Sequence, residues 1–342
     1  SSRRFVASQM DPFPGAPSTA DPDVLIEAGP SPAITEIQNP ANDGLVTGSD
    51  GDALYVRAGD GWCRLPATGR TGGPARFVLS GGFPLWRVFK TVMRPAIQLA
   101  LLPAGAVAVH SASVELEGAG IVVAGWSESG KTETALALVE GGASFVSDKW
   151  TVLADDGTAA AFPITVGVRG WVLRHLPRLR AGLGAVPRAR LGMAGVARAT
   201  ARPLGAGGAL ERAITLADRV ALSPSAVRAA YGAPQTPWRV PLSAVALLTT
   251  VPGPEVSARR ADPAWAAQRL ARSGDFERRG LFELHDRACW ALAARDPGAR
   301  ARILAHERAA LEAMLAETTV IEVRAPFPAD PRPAADAIAE LL

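Results

Sequence analysis

A glycine-rich segment near the middle of the chain has the spacing of a phosphate-binding loop. Residues 125–132 read GWSESGKT and fit the pattern G-x-x-x-x-G-K-[ST] in full. Glycines at the fixed positions let successive backbone N–H groups turn toward phosphate oxygens, and the lysine and hydroxyl that follow suit phosphates and Mg²⁺. The pattern therefore predicts a nucleotide site in this segment, called the glycine loop below. The alternative is a glycine turn whose lysine is merely solvated.

The residues expected to bind the nucleotide belong to the glycine loop and to the start of the helix after it. They are Gly125, Ser127, Ser129, Gly130, Lys131, Thr132 and Glu133. Lys131 is expected to reach the β- and γ-phosphates, and the Thr132 hydroxyl to bind Mg²⁺. Glu128 places a carboxylate inside the loop, where it must turn away from the phosphates, bind metal or weaken ATP binding.

A phosphate loop that uses Mg²⁺ also needs an acidic side chain at the end of another strand. Asp148 ends the apolar run ASFVS, 17 residues after Lys131, and is the candidate metal ligand. The alternative is a turn aspartate that caps the strand. The later run SAVALLTTV ends without a carboxylate, which argues against the transporter and helicase classes of ATPase.

Lysine is rare in this chain. Only three of the 36 basic residues are lysines, namely Lys90, Lys131 and Lys149. A chain that uses arginine so consistently should keep lysine where a compact ammonium group is needed. We therefore expect Lys149 to act at the phosphates, the alternative being a strand-end lysine that pairs with Asp148.

The elements around the loop follow an α/β order, in which strand, glycine loop, helix and strand alternate. A helix is predicted from Lys131 to Glu140, and the apolar runs IVVA, ASFVS and WTVLA are predicted strands. The expected organisation is a loose leader over 1–22, a small, mostly antiparallel β unit over 23–83, and a P-loop α/β domain over 84–342.

An arginine-rich segment covers residues 169–219. Residues 157–210 contain no Asp or Glu, but they contain eight arginines. The segment could be an electropositive wall that recruits an acidic peptide or a phosphorylated ligand. Pairing with the nine carboxylates of residues 1–62, or simple solvation, explains it as well and is slightly favoured. Nucleic acid is not an expected partner, because aromatic residues make up only 6% of the chain and do not alternate with the arginines.

Composition excludes several classes of protein. The 342 residues are 48% hydrophobic and 20% charged, which excludes a wholly disordered chain, and two cysteines cannot build a disulfide framework or a four-thiolate metal site. The most apolar stretch, Ile97 to Val109, has 13 residues, whereas a membrane span needs about 18 or more. The N-terminus lacks the apolar region of a secretory signal. A soluble, cytoplasmic protein with no membrane partner is expected.

Residues 106–154 resemble the core of the HPr kinase/phosphorylase family. The positions that match its pattern are Gly130, Lys131, Thr132, Glu133, Thr134, Ala135, Leu136 and Leu138. His110, 15 residues before Gly125, is similar to the histidine that this family has ahead of its loop. The resemblance implies a fold close to phosphoenolpyruvate carboxykinase, with ATP and Mg²⁺ at the loop. It also implies transfer of the γ-phosphoryl group to a hydroxyl, typically a serine of a protein or peptide.

The resemblance assigns roles to several residues, and this chain differs from the family's pattern at two places. The resemblance implies catalytic roles for Asp148 and His110 and a place for Arg169 at the substrate. The catalytic role of Lys149 at the phosphates rests on the scarcity of lysine, and the roles of Thr132 and Asp148 at the metal rest on the loop pattern. Lys149 stands where the family has the second Asp of a pair, its general base, and a protonated lysine cannot act as a base. Residues 167–170, GVRG, keep the Arg-Gly of the family's E-I-R-G signature but not its metal-binding Glu, so the phosphorylase half of the activity is not expected. For His110 a core histidine is an equal alternative.

Three functions remain open from the sequence. The favoured one is a kinase for a Ser or Thr hydroxyl of a protein or peptide, including an acidic one. The second is a nucleotide-binding module without phosphotransfer, supported by Lys149 in place of a base and by Glu128 in the loop. The third is a kinase for a small-molecule hydroxyl, with Lys149 holding an acidic substrate group. A homo-oligomer is among the options for the assembly of this chain.

Overall fold

The computed structural model describes residues 24–38, 46–66, 75–186, 188–191, 193, 218–233, 237–292 and 296–342. The predicted leader and residues 194–217 of the arginine-rich segment lie outside this part of the chain. The strands are β1 (Val24–Ala28), β2 (Glu36–Gln38), β3 (Val46–Ser49), β4 (Leu54–Ala58), β5 (Gly61–Arg64), β6 (Ala75–Leu79), β7 (Ala106–Val109), β8 (Ser111–Leu116), β9 (Ala119–Gly125), β10 (Ser144–Ser147), β11 (Thr151–Ala154), β12 (Thr158–Ala161), β13 (Val166–Arg169), β14 (Arg219–Leu222), β15 (Arg239–Thr250), β16 (Ser257–Arg260) and β17 (Thr319–Ala325). The α-helices of more than one turn are α1 (Arg94–Ala100), α2 (Lys131–Glu140), α3 (Pro177–Gly182), α4 (Pro224–Ala230), α5 (Pro263–Glu277), α6 (Arg279–Ala291), α7 (Ala299–Leu315) and α8 (Arg332–Ala339).

The described chain divides into two compact units. One unit holds the described residues up to Ala108 together with Gly274–Leu311, and the other holds Val109–Ser273 with Glu312–Leu342. The sequence predicts a boundary between residues 83 and 84, with one domain after it. The structural division differs because an apolar core ties residues on both sides of position 83 together.

The first unit is a six-stranded sheet with helices packed on it. Its strand order is β1-β6-β5-β4-β3-β2, and all neighbours are antiparallel except the parallel pair β1 and β6. The side chains that form its core come from the sheet, from the helical stretch after residue 83 and from α6. They include Leu54, Val56, Phe77, Val88, Val92, Met93, Leu281 and Leu284. The helical stretch after residue 83 consists of a helical turn (Trp86–Val88), a π-helical segment (Phe89–Met93) and α1, and its side chains share a core with the predicted β unit.

The second unit contains a mixed sheet that carries the glycine loop. Its strand order is β10-β8-β9-β15-β12-β11, and β17 also pairs with β15. β15 is parallel to both β9 and β17, and β10 runs in the same direction as β9 because each is antiparallel to β8. The C-terminal ends of β9, β10, β15 and β17 therefore lie at one edge of the sheet, called the carboxyl edge below. Ligands of open α/β sheets bind outside this edge.

Burial explains why these strands read as continuous apolar runs. Ile121, Val122, Val123 and Ala124 of β9 are fully buried, as expected for a strand covered on both faces. The helix predicted after the loop is confirmed as α2, which packs against β8, β9 and α8. No helix among the residues described above is both long and apolar enough to cross a membrane. The chain is thus of the α/β class, with mixed sheets and helices.

Candidate functional site

The glycine loop connects β9 to α2 at the carboxyl edge. Gly125 ends β9 with φ +152°, and a Cβ there would lie 2.6 Å from Ser129 Oγ and 2.7 Å from the Leu248 carbonyl oxygen. Gly130 caps the N-terminus of α2 with φ 91°, in the left-handed region that glycine enters most easily. Both fixed glycines of the pattern are therefore required by the backbone, and the loop is tightly turned as phosphate binding demands.

Lys131 and Ser129 place polar atoms at the turn. The Lys131 side chain is only 7% exposed, and its Nζ donates a hydrogen bond of 2.6 Å to the Trp126 carbonyl oxygen. The ammonium group thus reaches back over the loop in which phosphates would sit. Ser129 is also buried, and its Oγ has no hydrogen-bond partner among the described residues. The Ser127 side chain is half-buried in the same loop.

Thr132 and Asp148 are joined directly. Thr132 Oγ1 donates a hydrogen bond of 2.6 Å to Asp148 Oδ1. Asp148 follows β10 and is 2% exposed, so the strand two places from β9 brings its carboxylate to the first turn of α2. This pair was predicted from sequence spacing, and the structure brings the two side chains together.

The same pair fits a magnesium ion. Mg²⁺ binds oxygen ligands, usually one or two protein groups with phosphate oxygens and water. Asp148 Oδ2 is buried and has no hydrogen-bond partner in the described part of the chain. A buried carboxylate oxygen without a hydrogen bond destabilises the fold, and a cation bound to it would offset that loss. Asp148 and the Thr132 hydroxyl are therefore the residues that would hold Mg²⁺.

Glu128 turns away from the loop to meet Arg169. Its backbone adopts φ 63°, and its Oε2 accepts a hydrogen bond of 2.6 Å from Arg169 Nη2. Arg169 ends β13, so the ion pair joins that strand to the glycine loop. The Glu128 side chain is 63% exposed, and the pair is therefore screened by solvent. The three options considered for Glu128 did not include this ion pair with Arg169.

We expect Glu128→Gln to raise the affinity for Mg-ATP by about fivefold at low salt, because a negative charge near the phosphates is removed and Arg169 is released. Titration at low and high ionic strength measures the effect, which should shrink as salt screens the charges. Glu117→Gln is the matched control, since Glu117 is an exposed glutamate with φ 52° in the turn between β8 and β9. Equal affinities for Glu128→Gln and wild type would contradict the prediction.

Glu133 is a buried carboxyl group in the first turn of α2. It is 7% exposed, and burial raises its pKa above the usual 4.5, with the charge of Asp148 raising it further. Loss of water favours the neutral form of an acid. The sequence predicts Glu133 as a nucleotide-binding residue. In the structure it follows Thr132 directly and is buried close to the proposed metal ligands.

We expect Glu133→Gln to raise the melting temperature at pH 8 by a few degrees. The unfolded chain ionises Glu133 near pH 4.5, but the folded chain does so only at higher pH. Stability therefore falls as pH rises from 4.5 through the folded pKa, and the glutamine variant avoids this loss. Thermal melts at several pH values test it: the difference between variant and wild type should vanish below pH 4.5. A variant that is less stable at pH 8 would show that the carboxylate is favourable as it stands.

Lys149 directs its ammonium group to a backbone carbonyl. Its φ is 61°, and its Nζ donates a hydrogen bond of 2.8 Å to the Thr165 carbonyl oxygen. Thr165 immediately precedes β13, the strand that ends at Arg169. Lys149 thus holds the start of the strand that carries Arg169, and its role at the phosphates stays a prediction.

Ser273, which the sequence did not single out, links His110 to the glycine loop. His110 Nδ1 is 3.4 Å from Ser273 Oγ, and the His110 ring centroid is 5.3 Å from that of Trp150. Ser273 Oγ in turn lies 3.5 Å from the Gly125 carbonyl oxygen. No local pattern marks Ser273, because it is one serine in an amphipathic helix, α5, far along the chain. His110 is 9% exposed, which agrees with either role considered for it.

No protein-family model matches this chain, and no curated protein matches it significantly. The residues of the glycine loop, and the side chains that the fold brings to them, are therefore what indicates a function for this protein.

Proposed function

We propose that this chain is an ATP- and Mg²⁺-dependent phosphotransferase that moves the γ-phosphoryl group to a hydroxyl of a protein or peptide, typically a serine. The observation that carries the proposal is the 2.6 Å hydrogen bond between Thr132 Oγ1 and Asp148 Oδ1, in the first turn of α2, the helix that begins at Lys131. A glycine turn without function has no need to bring a buried carboxylate to that hydroxyl. The resemblance to HPr kinase/phosphorylase supports the same reaction and a P-loop kinase core, and the proposal places the protein in the cytoplasm.

The chain's own residues would act by positioning and by charge. Phosphoryl transfer has a loose transition state with charge spread over the phosphoryl oxygens, so binding geometry and nearby cations dominate catalysis. Backbone N–H groups of the glycine loop and the Lys131 ammonium group would hold the β- and γ-phosphates, and Arg169 would face the incoming substrate. Mg²⁺, when bound, supplies further neutralisation of phosphate charge. Asp148 and Thr132 would fix its place.

The proposal is tested by calorimetric titration with ATP and with ADP, each with and without Mg²⁺. The expected result is binding that depends on Mg²⁺ and prefers ATP, because the Lys131 ammonium group and the Thr132–Asp148 pair lie where the terminal phosphate would sit. Absence of binding, or binding that ignores the metal, contradicts the proposal. This experiment requires no knowledge of the acceptor.

A nucleotide-binding module without phosphotransfer is the second candidate. The observation that favours it concerns Lys149, which stands where the resemblance would place a general base. Its ammonium group donates a hydrogen bond to the Thr165 carbonyl oxygen. ATP would then stabilise one conformation of the chain, and a partner would read that conformation.

Exchange of Lys149 for aspartate separates the two candidates. We expect the wild type to hydrolyse ATP slowly in the presence of Mg²⁺, with water as acceptor, and Lys149→Asp to lower this rate several-fold because the anchor of Thr165 is lost. Aspartate tolerates a left-handed backbone, so the change introduces little strain at φ 61°. Phosphate release measures the rate. A rate that increases in Lys149→Asp would favour a module that has lost its base.

A further inference from the structure

An aromatic side chain stands beside the glycine loop in a segment that the sequence did not single out. Residues 326–331 follow β17, and this segment begins at the carboxyl edge of the sheet. β17 is the second strand from β9, with β15 between them, and all three are parallel. The segment therefore leaves the sheet at the edge where the loop lies. Phe327 is the second residue of that segment, and its side chain is only partly buried.

Phe327 is in contact with the turn that would bind phosphates. A Cβ on Gly130 would lie 2.9 Å from Phe327 Cδ2 and 3.3 Å from its Cε2. The phenyl ring therefore packs against the backbone at the N-terminus of α2, and glycine at position 130 is needed for this approach as well as for its φ of 91°. A flat apolar surface is thus held beside the phosphate site.

A second aromatic side chain supports the Phe327 ring. Trp171 meets Phe327 edge to face, with ring centroids 5.9 Å apart and planes at 68°. Trp171 itself packs on the apolar core to which α2 contributes. In the chain it follows β13 and Gly170. Such aromatic pairs favour this geometry and hold each other in register.

The segment that carries Phe327 is also fixed by charge. Asp330 Oδ2 lies 3.2 Å from His175 Nδ1, and both Asp330 oxygens accept hydrogen bonds from Arg332. These bonds hold the pKa of Asp330 at about 2, so the carboxylate is ionised at any ordinary pH. Two contacts from the segment, the aromatic one of Phe327 and the polar one of Asp330, therefore reach the stretch from Trp171 to His175.

We propose that Phe327, supported by Trp171, is the stacking platform for the base of the bound nucleotide. The inference rests on the proposed function, since it takes the phosphates to be at the glycine loop. A nucleotide whose phosphates lie at the N-terminus of α2 must extend its nucleoside along the carboxyl edge, and Phe327 offers a fixed aromatic surface there. Stacking on an aromatic side chain serves any base, because every base has a π face. The ligand class is therefore a purine or pyrimidine nucleoside triphosphate, bound through its ring face rather than through its base-pairing edge.

The test compares ATP with inorganic tripolyphosphate, each titrated with Mg²⁺ into wild type, Phe327→Leu and Phe327→Tyr. Tripolyphosphate carries the phosphates without a base and reports on the glycine loop alone. We expect Phe327→Leu to weaken ATP about tenfold, in line with the loss of one base stack, and to leave tripolyphosphate unchanged. Phe327→Tyr should keep wild-type affinity for both ligands. Trp290→Leu, which removes an aromatic ring that is 74% exposed on α6, is the control and should change neither.

Each other outcome is decisive. Unchanged ATP affinity in Phe327→Leu, or equal affinity of the wild type for ATP and tripolyphosphate, overturns the platform and leaves the proposed phosphate site standing. An equal loss of ATP and tripolyphosphate in Phe327→Leu shows that Phe327 only shapes the loop, which also overturns the inference. Failure of the wild type to bind either ligand refutes the proposed function itself.

Discussion

Lys131→Ala is expected to abolish binding of Mg-ATP, with a loss of affinity of at least about 100-fold. Hydrogen bonds from a charged donor to phosphate contribute about 1.5–3 kcal/mol each, and the ammonium group at this position would serve two phosphates. The loss should appear with and without Mg²⁺, because the lysine acts on phosphate oxygens directly. Calorimetric titration with ATP measures it.

The same substitution also tests the loop's own structure. In the free protein Lys131 Nζ donates to the Trp126 carbonyl oxygen at 2.6 Å, so its removal takes away one internal anchor of the loop. Lys131→Arg keeps the charge but replaces a compact ammonium by a planar fork, and we expect it to lose affinity as well. Lys90→Ala is the matched control, since Lys90 is exposed in the π-helical segment Phe89–Met93. If Lys131→Ala bound Mg-ATP with wild-type affinity, the glycine loop would not be part of the nucleotide site.

Sequence patterns predicted the parts of this site that are encoded locally. The glycines, the apolar run of β9 and the helix from Lys131 to Glu140 lie within one short stretch, and the structure has the helix with the predicted bounds. Asp148 was found by its position at the end of a strand, and the fold brings it to Thr132 because β10 runs in the same direction as β9. The α/β class followed from the same alternation of elements.

Contacts between distant segments could not be predicted in this way. Ser273 lies 163 residues from His110, and Lys149 finds its acceptor in a backbone carbonyl, which no side-chain pattern records. Phe327 meets Gly130 only because β17 and β9 are parallel and close in the sheet. The sequence did not predict the division into two units for a similar reason. The helix α6 contributes to the same core as Leu54, which lies more than 200 residues earlier in the chain.

Asp148→Asn is expected to remove the magnesium dependence of ATP binding while it keeps the binding of the phosphates themselves. An asparagine can still accept the hydrogen bond from Thr132 Oγ1, so the local geometry is preserved. The amide carries no negative charge, and it places an NH2 group, which cannot bind a cation, where Asp148 Oδ2 lies in the wild type. We expect the affinity for ATP in the presence of Mg²⁺ to fall about 10- to 100-fold, the range typical of a disturbed metal site.

The comparison of Asp148→Asn with Lys131→Ala separates the two halves of the site. Loss of Lys131 should weaken ATP whether or not metal is present, whereas loss of the Asp148 charge should leave metal-free affinity unchanged or slightly higher, because a negative group near the phosphates is gone. Titrations with and without Mg²⁺ measure both. Asp155→Asn, in the exposed turn between β11 and β12, is the control and should behave as wild type. A full magnesium response in Asp148→Asn would make Asp148 a strand-end cap and would place the metal ligand elsewhere on the carboxyl edge.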